Sequence, residues 1–219
     1  MSSIFQTDVE QTQPSKVSIV VRLIPAVSYL IPAVMAGVSA FLVTRVIWGM
    51  RTAEATGLAA VTAGLAEANL PLLVALYLAV LVGIAAIGFA VVRLFVPVST
   101  ASAPAWFYIV AGVVGLIPPI LVWQAESVMI QRFYPGSGGI GEVASTISLL
   151  LTLAMIAAPL CAVLLLVGSV VPLRSDADSS SRSFSLVILI GVEVALITMA
   201  VIFHVRTSWL NEVALTGRL

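Results

Sequence analysis

Few side chains in this sequence can do chemistry, and the acidic ones stand out by where they fall. Glu193 lies near the middle of FSLVILIGVEVALITMAVIF, a run of twenty residues from Phe184 to Phe203 that are otherwise apolar or small. A helix of that length is about 30 Å long, which matches the hydrocarbon thickness of a bilayer. A carboxylate at its centre costs roughly 2.5–3.5 kcal/mol on insertion scales, so it is expected to face other helices or a polar path. Of the ten acidic residues, Glu193 is read as the only one deep within a hydrophobic run. Proton exchange inside a membrane is the chemistry expected of it.

Other groups allow two readings each. Glu67, in GLAEANLP, either complements the dipole at the start of a helix or guards the mouth of a pore, with Asn69 and Pro71 marking an irregular, polar helix entry. Ser145, Ser148 and Thr152 fall at helical spacing on one face. They either make interhelical or back-bonded hydrogen bonds or line a hydrated path. Ser39, near the middle of its apolar segment, and Thr44 carry the same alternatives. Arg45 either snorkels to the interface or pairs with a carboxylate. His204, beside Arg206, reads as an interfacial residue, about three helical turns beyond Glu193 and too far to share its proton. Cys161, the single cysteine, reads as a small hydrophobe.

The elements that must position these groups follow from composition. Of 219 residues, 61% are hydrophobic and 9% charged, with a mean hydropathy of +1.17. A soluble domain of this length could not hide so much apolar surface, so lipid is the expected solvent. Net charge is zero and no basic patch indicates a nucleic-acid partner. Paired-histidine metal motifs, nucleophile elbows, phosphate-cradling loops and haem-attachment motifs are all missing from the sequence, so neither an enzyme nor a cofactor is expected.

Five apolar segments, bounded by charges, the third of them running from Ala105 to Trp123 and ending at Gln124 and Glu126, predict an all-α polytopic membrane protein with about five transmembrane helices: two hairpins plus a fifth helix. A polar tail occupies residues 1–22, and its acidic opening makes a poor signal-peptide start. The first hairpin spans 23–97 and the second 98–173. A polar loop at 174–183 leads to the fifth helix and a short tail at 184–219. Loops are read at 97–104 and 135–139, and residues 49–66 either extend a helix or form an interfacial turn. With alternating sides, the basic residues divide five against five, so charge bias does not orient the chain. Leu30-Ile31-Pro32 recurs as Leu116-Ile117-Pro118, a faint internal duplication of the hairpins. Small residues such as Ala36-Gly37, Gly83 to Gly88 and Ala157-Ala158 predict close helix packing in a bundle or an oligomer.

Residues 32–68, PAVMAGVSAFLVTRVIWGMRTAEATGLAAVTAGLAEA, resemble the last two membrane helices of the MotA/TolQ/ExbB proton-channel family. The likeness rests on Pro32 opening a helix, the hydroxyl residue Ser39 after it, and the segment from Leu58 to Ala68 that ends in the AEA triplet. The resemblance implies a pore wall in a pentamer, built round one or two helices of a single-span partner that carries an aspartate. It assigns the pore carboxylate to Glu67 and the pore hydroxyl to Ser39. It also implies a cytoplasmic N-terminus, residues 51–66 outside and 175–183 inside. This sequence departs from the family in lacking its cytoplasmic helical domain, in having Leu72 and its neighbours where a further hydroxyl follows the triplet, and in continuing with three more spans.

The expectation is therefore a stator-like subunit of a proton-conducting, proton-motive-force-coupled complex in the cell inner membrane. Glu67, Ser39 and Glu193 would form its proton path, and Ser145, Ser148 and Thr152 a further polar lining. The alternative is a non-catalytic structural transmembrane subunit of a larger respiratory, photosynthetic or secretion complex. A small-solute transporter is a third reading, in which the hairpins act as repeats and Pro118-Pro119 breaks a helix.

Overall fold

In lipid, backbone N–H and C=O groups find no water, so an apolar chain satisfies them internally by forming helices. A computed structural model of the chain describes residues 16–52, 57–95, 105–132, 140–170 and 179–216. All five segments are helical: α1 Lys16–Thr52, α2 Leu58–Phe95, α3 Ala105–Arg132, α4 Ile140–Val170 and α5 Ser179–Thr216. Each holds a stretch long and apolar enough to cross a membrane. The protein is a multi-pass membrane helical bundle.

The helices outrun the apolar segments that announce them. At 38 residues, α2 and α5 are each about 57 Å long, well beyond the hydrocarbon thickness. Residues 16–22, read as tail, belong to α1, and residues 179–183, read as loop, belong to α5. Residues 58–66 open α2 rather than form a turn. A helix carries its hydrogen bonds past the apolar run at no loss, and long charged side chains near its ends reach toward the polar layer. The tail before Lys16, the loops at 97–104 and 135–139, and residues 174–178 of the polar loop lie outside the described residues. Helix α2 runs through Pro71 and α3 through Pro118 and Pro119, so neither the irregular helix entry nor the broken helix expected there is formed.

Small residues set the register. Gly64 of α2 lies against Val46 of α1, Gly37 of α1 against Ala158 of α4, and Gly115 of α3 against Tyr29 of α1. Cys161 of α4 donates to the Val114 carbonyl of α3 at 3.1 Å. The hairpins α1–α2 and α3–α4 are thus formed, with α1, α3 and α5 running one way and α2 and α4 the other. Because Tyr29 faces Gly115, the two Leu-Ile-Pro motifs that follow stand at equal height. Helix α4 also packs along α1, whereas α5 lies along α2 and more briefly along α3.

Size sorts the side chains. Ala33, Ala36, Ala40, Ala79, Ala125 and Ala154 are fully buried, while Phe41, Trp48, Leu81 and Leu160 project outward. Between lipid-solvated helices, association comes from close packing rather than from hiding apolar area. Alanine inside and bulk outside is the arrangement that condition favours.

Candidate functional site

Polar residues enter this bundle at positions where the helical repeat calls for apolar ones. In α3, Val122, Ala125, Glu126 and Met129 form the inward stripe; in α5, Phe203, Arg206, Thr207 and Leu210 do the same. Asn69 interrupts the buried stripe Leu65, Ala68, Leu72 and Leu76 of α2. Ser39 lies between buried Ala36 and Val43 of α1. The contacts of Gly115 with Tyr29 and of Gly64 with Val46 put Ser39 level with Ala125 and with Asn69 to Pro71. One buried polar layer therefore crosses four helices.

At its centre Arg206 Nε stands 3.4 Å from Glu126 Oε2, with Glu126 fully buried. That separation makes an ion pair but exceeds hydrogen-bond length. The Asn69 side chain stands beside Glu126. Among the described residues, both Glu126 oxygens, both polar atoms of Asn69, Arg206 Nε and Nη2, Ser39 Oγ and Thr207 Oγ1 have no hydrogen-bond partner. Buried polar groups are almost always satisfied, which sets this layer apart from the apolar packing around it.

This layer corrects the sequence reading. Glu193 is not the only acidic residue deep in the bundle, because α3 continues to Arg132 and carries Glu126 inside. The sequence reading ended the third span at Gln124 and Glu126 because charges usually close apolar segments. The pairing of Glu126 with Arg206, eighty positions away, removes the reason to end there. The signal available was the spacing of Val122, Glu126 and Met129, which puts the carboxyl on the apolar stripe.

Glu193 occupies a second, separate place. It is 5% exposed, and a Cβ at Gly83 of α2 would overlap its Oε2. The preceding residue, Val192, crowds Gly112 of α3 in the same way. Two glycines on two helices thus make the seat into which α5 settles. Among the described residues, Glu193 Oε1 has no hydrogen-bond partner. Thirteen residues separate Glu193 from Arg206, about 20 Å along the helix. The apolar run of α5 ends at Phe203, before His204, Arg206, Asn211 and Glu212, so Glu193 stands near its middle.

The remaining expected site residues do not join either place. Glu67 is exposed on α2, about 200° round the helix from buried Asn69, so it and Ser39 do not share a wall within one chain. Ser145, Ser148 and Thr152 are exposed on α4, and Thr152 Oγ1 donates back to the Ser148 carbonyl at 2.7 Å. His204 pairs across to α2 instead, with Nδ1 2.8 Å from Tyr77 Oη. No family model, curated protein or solved structure matches this chain.

Proposed function

We propose that the chain is a proton-handling subunit of a membrane complex, stator-like in exchanging protons within the bilayer while a partner moves. The observation that carries this reading is Glu193, a carboxyl enclosed between α5 and Gly83 with no cation paired to it among the described residues. Enclosing a carboxylate without a cation is far more costly than enclosing the neutral acid, so a group kept there serves best when it can gain and lose a proton. Glu126, Arg206, Asn69 and Ser39 supply a second polar step about 20 Å further along the bundle. On this reading Glu67, exposed on α2, serves a partner or another copy rather than an internal path.

Proton flux through the native complex, reconstituted in liposomes under a pH gradient, tests the reading. Glu193→Gln is expected to reduce flux at least tenfold, and Glu67→Gln to act only when the partner is present. Unchanged flux in both variants sinks it. The scaffold reading is favoured by the Glu126–Arg206 pair, which neutralises itself within the chain. On that reading both variants assemble one copy per larger complex and leave its activity intact.

A further inference from the structure

Helix α3 carries two consecutive prolines near its middle and still runs unbroken from Ala105 to Arg132. Proline has no N–H, so the helical carbonyl four residues before it loses its donor. Pro118 takes that donor from Val114, and Pro119 takes it from Gly115. Pro119 also removes the N–H five residues on from Val114, the one a π-type turn would use. Acyl chains supply no substitute, so a carbonyl freed within a bilayer is met by a neighbouring helix. At Val114 the neighbour is Cys161 of α4, whose Sγ lies 3.1 Å from the carbonyl oxygen. A thiol is a weak donor, but it stands where Pro118 leaves an acceptor open.

The prolines also divide the contacts of α3 with α5. Before them, Gly112 receives Val192, the neighbour of Glu193; after them, Glu126 pairs with Arg206. Each of these contacts lies seven residues from Pro119, about 10 Å along the helix. The two places where α3 holds α5 therefore fall on opposite sides of a point where α3 has lost hydrogen bonds of its own.

We propose that Pro118–Pro119 is a hinge in α3, latched by the Cys161 thiol. With the latch made, α3 is one rod, and the Glu126–Arg206 pair keeps a fixed relation to the seat of Glu193. With it lost, the half carrying Glu126 tilts against the half carrying Gly112. The hinge operates whether or not either carboxyl exchanges protons.

Spin labels on the full chain in nanodiscs test this. Val113 and Gln131 are exposed on α3 and stand eighteen positions apart, five full turns, so they share one face. That face lies opposite the two buried prolines, and a proline kink opens on the proline side and closes on the other. A bend of about 20°, with labels about 10 Å from the axis, shortens their separation by about 3 Å. In the Val113→Cys/Gln131→Cys chain, Cys161→Ser keeps a donor at the latch and Cys161→Ala removes it. The Cys161→Ala distance should be shorter than the Cys161→Ser distance by about that amount. Adding Pro118→Ala to the Cys161→Ala chain returns an N–H to Val114 and should restore the longer distance. Loss of the sulfur's volume is the same in both Cys161→Ala chains, so packing alone does not produce that rescue. Unfolding in micelles gives a second reading: Cys161→Ala should raise the unfolding constant roughly threefold more with Pro118 present than in Pro118→Ala. Equal distances in Cys161→Ser and Cys161→Ala, a shortened distance that Pro118→Ala does not restore, or additive effects on unfolding overturn the proposal.

Discussion

Among the described residues, two carboxyls are buried in this bundle, and they are kept in opposite ways. Glu126 meets an arginine from α5 and an asparagine from α2. Glu193 meets a glycine, whose missing side chain leaves room for the carboxyl group but offers it no charge. The first arrangement ties three helices through a charge pair whose members depend on each other. The second is a fitted space that depends on shape. A buried charge pair is costly to break and cheap to replace whole, whereas a fitted space is sensitive to any added atom.

That contrast can be broken first at Arg206. Arg206→Leu leaves Glu126 buried without its cation and should cost about 3–5 kcal/mol, while Glu126→Leu/Arg206→Leu recovers most of the loss. Unfolding of the purified protein in mixed micelles, followed by Trp fluorescence, measures both; equal losses in the single and double variants would show that the pair is not a unit. Glu126→Gln comes next, at about 1–3 kcal/mol, because Arg206 loses its counter-charge while the volume is kept. At the other site, Gly83→Ala should cost about 1–3 kcal/mol through overlap with Glu193, and Glu193→Ala in the same chain should relieve it. If Gly83→Ala is as stable as the parent, α5 does not seat there. Glu193→Gln keeps the shape and should change stability by less than about 1 kcal/mol, so any large loss of proton flux in that variant is chemical rather than structural. Smallest of all, Thr152→Val on the exterior of α4 removes only a back-bond within its own helix and should stay within about 0.5 kcal/mol.

Much of the architecture was legible beforehand, and the reason is the solvent. A run such as Leu186 to Phe203 has no stable home in water, so hydropathy alone finds α5, and charges near its ends bracket it. The same signal misjudged Glu126 and Arg206, which read as closing charges and are instead a pair inside the bundle. The family resemblance, not hydropathy, put Ser39 and Glu67 on one proton path; in the bundle Ser39 is buried in α1 and Glu67 is exposed on α2. Glu193 was found because no other charged residue lies within the apolar run from Phe184 to Phe203.

The amino-acid order by itself determined that the chain lives in a bilayer, how many times it crosses, and which polar residues travel with the crossings. Which way those residues turn was decided only when the helices packed. In water, alternation between polar and apolar positions tells inside from outside; in lipid both sides of a helix are apolar, so the pattern carries almost no facing information. Contacts between distant segments, Gly83 against Glu193 and Arg206 against Glu126, supplied it instead.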